Sequence, residues 1–138
     1  MSVRKAHAEW EGNLARGKGQ MSFGSYKGKF SFSSRFENGE GTNPEELIGA
    51  AEAGCFTMEL SHELDQAGYT PKRVSTNSRV HLDKDDSGFS ISRIELLTEA
   101  DVPGIDQQTF KKIADNAKSC IVSRALKGVK IELKAELL

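Results

Sequence analysis

The feature that most constrains this chain is a predicted helix with almost no polar side. Leu47-Ile48-Gly49-Ala50-Ala51-Glu52-Ala53-Gly54-Cys55-Phe56-Thr57-Met58 is small or apolar nearly all round. A helix of that kind is normally buried on more than one side. Its start is well marked. In Thr42-Asn43-Pro44-Glu45-Glu46, Asn43 suits the cap, Pro44 the first helical position, and the two acids the positive end of the helix dipole. Gly68 ends it. Gly49 and Gly54 each cost about 1 kcal/mol against alanine in a helix interior, and close approach by another backbone would explain their presence.

Strands surround this helix in the sequence. Before it, Ala8 to Leu14, Gly19 to Phe23 and Tyr26 to Phe36 are punctuated by glycines, as turns between short strands require. In the third, Phe30, Phe32 and Phe36 share one face at period two, and Ser31, Ser33 and Arg35 the other. Gly39-Glu40-Gly41 breaks it. After the helix comes a long hairpin. Val74, Thr76, Ser78, Val80 and Leu82 alternate with polar residues up to a turn over Asp83-Lys84-Asp85-Asp86-Ser87-Gly88. The return strand, Phe89 to Glu99, shifts phase between Ile91 and Ile94, which predicts a bulge or twist. A second helix starts near Asp106, with Phe110, Ile113, Ala114, Ala117 and Ile121 at helical spacing. Val129, Ile131, Leu133, Ala135 and Leu137 then alternate with charged residues, a half-buried strand. Strands, helix, hairpin, helix, strand is an α+β order. With no repeat, linker or low-complexity tract, residues 1–138 are expected to form one domain.

Charge narrows the function classes. Nineteen basic and 20 acidic residues leave a net charge of -1, so no footprint for nucleic acid or an anionic membrane is visible. Met1 to His7 leads into polar sequence without a signal-like apolar region, and no run is long enough to span a bilayer. The expected location is cytoplasmic, where two cysteines are not expected to form a permanent staple.

Two motif-like stretches are decoys. Gly12-Asn13-Leu14-Ala15-Arg16-Gly17-Lys18-Gly19 has phosphate-loop spacing, but Gly19 offers no hydroxyl for magnesium and strand follows where a helix is required. Asp83, Asp85, Ser87 and Gly88 fit the start of a calcium loop, yet Ile94 stands where the bidentate glutamate belongs. His7 and His81 fall in predicted strands. His62 lies about 10 Å along the helix axis from Cys55, too far to serve as its base in the same chain. The cysteines and histidines show no paired spacing for a structural metal.

The cysteines hold the open question. Cys55 shares a helical row with Ile48, Ala51 and Met58, and Cys120 one with Ile113 and Ala117. Both rows are apolar, so inert packing and reactivity both stay open on the residues alone. Reactivity needs a thiolate, which needs positive charge nearby. Cys55 sits well inside its helix, beyond reach of the dipole. A cation must come from elsewhere, and Arg35 is the nearest well-placed candidate upstream.

Arg35-Phe36-Glu37, then Gly41-Thr42-Asn43-Pro44-Glu45-Glu46-Leu47-Ile48-Gly49-Ala50-Ala51, then Ala53-Gly54-Cys55-Phe56, closely resembles the OsmC/Ohr family of osmotically inducible and organic hydroperoxide resistance proteins. The likeness continues through Leu82-Asp83-Lys84, Val102-Pro103-Gly104-Ile105-Asp106 and Ala117-Lys118-Ser119-Cys120-Ile121-Val122-Ser123. The Arg-Phe pair just before the Gly-Thr-Asn-Pro block is similar to the OsmC branch. One departure stands out: the family commonly has Cys-Pro at the second cysteine, and here Ile121 follows Cys120.

The resemblance implies a thiol peroxidase acting on organic hydroperoxides and, more weakly, on hydrogen peroxide. It implies Cys55 as the peroxidatic cysteine, Cys120 as the resolving cysteine, Arg35 as the activating cation and Glu45 as its carboxylate partner. The implied fold is an intertwined α+β homodimer, antiparallel sheets packed on two central helices, recycled by dithiols such as protein-bound lipoyl groups. Neither cofactor nor metal is expected. Geometry adds a condition. Glu45 and Cys55 are ten residues apart, hence about 15 Å along one helix. Either the helix breaks at Gly49 or Gly54, or the two groups at one arginine come from different chains. Two rivals remain: a non-catalytic, stress-related dimeric binding module, and a cysteine hydrolase, which would need a histidine beside Cys55.

Overall fold

The computed structural model describes all residues, Met1–Leu138. They form two compact units, Met1–Leu47 and Ile48–Leu138, and one helix runs through the junction.

In the first unit, β1 (Ala6–Glu11), β2 (Lys18–Phe23) and β3 (Tyr26–Phe30) form an antiparallel meander. Gly12, at φ +89°, ends β1, and Asn13 closes the turn by accepting the Gly17 N–H on its carbonyl and the Arg16 N–H on its side chain, both at 2.8 Å. The phosphate-loop look-alike is therefore a hairpin turn. Trp10 and Phe30 meet across the sheet with ring centroids 5.2 Å apart. A Cβ on Gly19 would lie 2.5 Å from Phe30 and 2.6 Å from Trp10, so the strand needs glycine where those rings close over it.

The expected strand Tyr26–Phe36 ends early. Residues 32–36 form a short helix, α1 (Phe32–Phe36). Ser31 and Ser34 make a reciprocal capping box: Ser34 N–H donates to Ser31 Oγ at 3.1 Å, and Ser31 N–H to Ser34 Oγ at 2.8 Å. Phe32 and Phe36 share a face at period two, but also as i, i+4 on a helix, and their rings pack at 5.1 Å. The spacing was compatible with both, and the serine pair decides.

Helix α2 (Pro44–Gln66) runs unbroken through 23 residues, so the expected alternative of a break at Gly49 or Gly54 is removed. Asn43 caps it by accepting the Glu46 N–H at 2.8 Å, as the sequence indicated. Its Nδ2 donates to the Ser34 carbonyl at 3.0 Å, tying the cap to α1.

In the second unit, β4 (Arg73–Asp85) and β5 (Gly88–Asp101) form the long hairpin. Asp85 accepts the Ser87 N–H at 2.8 Å, so that carboxylate serves the turn and not an ion. His81 pairs with Arg93 and Leu82 with Ile91. Ser92 is the extra residue, the bulge expected between Ile91 and Ile94. Helices α3 (Gln107–Ala117) and α4 (Ile121–Ala125) lead to β6 (Lys130–Leu137). Here the expectation of wholly antiparallel sheets fails, because β6 lies parallel to β5. The helical crossover returns the chain to the end from which β5 started, whereas residue alternation carries no strand direction. Phe56, Leu60 and Leu64 of α2, Ile94, Leu96 and Ala100 of β5, and Phe110, Ala114 and Ala117 of α3 form the core.

Candidate active site

Helix α2 sorts its residues by angle. Phe56, Leu60 and Leu64 point into the core at full burial. Cys55, one position (about 100°) before Phe56, falls at the margin of that face and is half-buried. One turn earlier, Glu52 lies on the buried row.

The second cysteine arrives from the other side. The sequence placed Cys120 and Ile121 on the α3 helix, and the structure corrects this. Helix α3 ends at Ala117, and its last turn tightens, Lys118 and Ser119 bonding back to Asp115 and Asn116 at 3.3 Å. Cys120 is extended (φ −61°, ψ 167°) and begins the separate helix α4. It is buried, 2 % exposed, within the core. Ile121, expected on the apolar face, is 69 % exposed.

This joint turns α4 toward α2. The Val122 N–H donates to Cys55 Sγ at 3.4 Å. Such an N–H is free because the first turn of a helix has no internal acceptor for it. The Cys120 thiol lies close enough to Cys55 to influence its ionisation, and both thiols are free. Burial pushes the Cys55 thiol above its ordinary value, Cys120 adds to that, and the Val122 and Ile121 N–H groups pull the other way. Burial wins, so these neighbours alone keep Cys55 protonated.

Two groups that sequence reasoning missed complete the cluster. Cys120 Sγ lies 3.3 Å from Ser123 Oγ and 4.0 Å from Glu52 Oε1. Ser123 Oγ donates to Glu52 Oε1. A signal for Glu52 was present: it is the one charge between Leu47 and Met58. Ser123 carried none beyond standing three residues after Cys120.

The other predicted residues meet in the first unit. Arg35 grips Glu45 in a fork, Nη2 to Oε1 at 2.7 Å and Nε to both oxygens at 3.2 Å. Such bidentate pairing fixes the guanidinium plane. Arg35 also lies over the Phe36 ring at 5.2 Å. Beside it opens a cleft of about 380 Å³ lined by Trp10, Leu14, Phe30, Phe32 and Phe36. The predicted residues thus form two pairs, Cys55 with Cys120 and Arg35 with Glu45, each within its own unit.

Residues 37–134 match the family model described as OsmC-like protein. The chain is 50% identical over 129 residues to Peroxiredoxin OsmC of Escherichia coli, covering 91% of this chain and 90% of that one. It is 35% identical over 92 residues to the organic hydroperoxide resistance protein of Xanthomonas axonopodis pv. citri, covering 65% of this chain and 63% of that one. Among solved structures, an OsmC-like protein from Mycoplasma pneumoniae superposes with a TM-score of 0.77 at 16% identity, over 99% of this chain and 98% of that one. The organic hydroperoxide resistance protein OhrB of Bacillus subtilis gives 0.71 at 24% identity, over 97% and 98%. These two share the fold.

Proposed function

Because this chain belongs to the OsmC-like family, we propose that it is a thiol-dependent peroxidase that reduces organic hydroperoxides and, more weakly, hydrogen peroxide. The observation that carries the reading is the meeting of Cys55 and Cys120, distant in sequence, in one partly buried cluster, with Cys55 packed on the core that holds Cys120 and bonded by Val122, two residues beyond it. The Cys55 thiolate attacks the distal peroxide oxygen, the O–O bond breaks, and the alcohol leaves with a proton. Cys55 becomes a sulfenic acid, which Cys120 condenses to a disulfide with loss of water. A dithiol, such as a protein-bound lipoyl group, then restores both thiols by exchange.

Ionising Cys55 needs a cation, since its surroundings favour the neutral thiol. Arg35, oriented by Glu45, fills that role. One unbroken α2 holds Glu45 and Cys55 about 15 Å apart along its axis, so the fork serves Cys55 of a second copy in a homodimer. The open row on α2 supports pairing. Ala50, Ala51 and Gly54 are exposed, Met58 is 77 % exposed, and a Cβ on Gly54 would meet nothing within 4 Å. The apolar cleft beside Arg35 suits an organic tail over a wholly polar peroxide. No helix is long and apolar enough to cross a membrane, and a cytoplasmic location suits the reducing environment that recycling needs.

The test is a pulse of cumene hydroperoxide on the reduced protein, followed by mass analysis. The expected product has lost two hydrogens and links Cys55 to Cys120. A Cys55→Ser variant should be inactive, and Cys120→Ser should stop with Cys55 as a trappable sulfenic acid. Unchanged mass in the unsubstituted protein overturns the peroxidase and leaves a binding module.

A further inference from the structure

Glu52 is a carboxyl group without exposure, in the middle of a helix, with no salt bridge to offset its burial. Its Oε2 has no hydrogen-bond partner. Burying a polar group in this way is costly. A structural role does not account for it, because a glutamine would accept the same bond from Ser123 at lower cost. The acid adds one capacity the amide lacks, which is to take a proton.

The hydrogen bonds show whose proton is at hand. A hydroxyl has one hydrogen, and Ser123 gives its hydrogen to Glu52 Oε1. Toward Cys120, 3.3 Å away, Ser123 Oγ must therefore accept. The chain of donors runs from the Cys120 S–H to the Ser123 O–H to the Glu52 carboxyl. It starts at Cys120, whose sulfur itself lies 4.0 Å from Glu52 Oε1.

Building on the peroxidase reading, we propose that Glu52 is the general base of the resolving step, receiving the Cys120 proton through the Ser123 hydroxyl. The thiolate, not the thiol, is the nucleophile, and Cys120 is too deep to lose its proton directly to water. As Cys120 sulfur attacks Cys55 sulfur, the S–S bond forms and the S–O bond of the sulfenic acid breaks. The departing hydroxide takes the proton back from Glu52 and leaves as water. One sulfenic acid and one thiol thus become one disulfide and one water, and Glu52 is regenerated.

The test separates the two half-reactions in a single turnover with cumene hydroperoxide. In Glu52→Gln, sulfenic acid formation at Cys55 should keep its rate, while disulfide formation slows about 100-fold, within the range of general-base effects. Dimedone should then trap the Cys55 sulfenic acid, and the slow step should speed up roughly tenfold per pH unit as hydroxide replaces the missing base. Ser123→Ala, which keeps the acid and removes the relay, should show the same trapping. Should the Glu52 variant fail to fold, the serine variant decides. Disulfide formation at the original rate in either folded variant overturns the proposal. Failure of the unsubstituted protein to form any sulfenic acid instead overturns the peroxidase reading, and this proposal with it.

Discussion

Replacing Ile121 by proline introduces the residue that the family resemblance leads one to expect after the second cysteine, and the structure shows what it should do. Ile121 opens α4, the position where proline is best tolerated, and Cys120 before it is already extended at ψ 167°. The Ile121 side chain is 69 % exposed, so little apolar burial is lost. Fixing φ where the native backbone already suits proline stabilises by about 0.4–1 kcal/mol through the unfolded chain. Against this stands the Ile121 N–H, one of the two that draw the Cys55 thiol down. Thiol sulfur is a weak acceptor, so its loss costs about 0.5 kcal/mol, the low end for a hydrogen bond. The reduced protein should therefore be unchanged or about 0.5 kcal/mol more stable. Urea unfolding under reducing conditions measures this. The second consequence has a definite sign: with one opposing donor removed, Cys55 should need higher pH to ionise, seen as an upward shift in its alkylation profile. A loss of more than about 1 kcal/mol, or an alkylation profile that stays in place, refutes the reasoning.

Arg35→Ala should slow peroxide attack roughly 10- to 150-fold, from one charge-assisted hydrogen bond of about 1.5–3 kcal/mol. Stopped-flow consumption of cumene hydroperoxide checks it, and an unchanged rate removes Arg35 from the mechanism. Asp106 caps α3 by accepting the Thr109 N–H at 2.8 Å, and the Thr109 N–H and hydroxyl hold its carboxyl below the ordinary range. That contribution is present above the unfolded carboxyl's value and is lost as pH falls through the lowered folded one. Asp106→Asn keeps the cap but does not titrate, so its stability relative to the unsubstituted protein should rise on acidification. Parallel acid-unfolding curves for the two proteins would contradict this.

How much was legible in the sequence depended on whether the deciding interaction was local. The start of α2 was readable because Asn43, Pro44 and the two acids act within one turn. The bulge was readable because an extra residue shifts the alternation on one strand. Residues 32–36 were misassigned because two phenylalanines four apart satisfy both strand and helix, and a serine–serine capping box is a weaker signal than one with glutamate. The joint at Lys118–Cys120 was hidden because Ile121 continued the apolar spacing of α3 into solvent. Cys55, Cys120 and Arg35 were candidates on the residues alone, while the roles proposed for them and for Glu45 came from family resemblance, not periodicity. Glu52 was overlooked because its partners, Cys120 and Ser123, come from a helix far along the chain.

The tightened turn after α3 gives the proposed redox cycle a mechanical basis. Two free thiols must bring their sulfurs to about 2 Å to form a covalent bond, and something must yield. Were Cys120 part of α3, that motion would drag Phe110, Ala114 and Ala117 through a close-packed interior. Cys120 sits instead where one rod stops and another begins, so on the proposed cycle its sulfur would swing by torsion of a few residues. The helices around it would then keep their places through each oxidation and reduction.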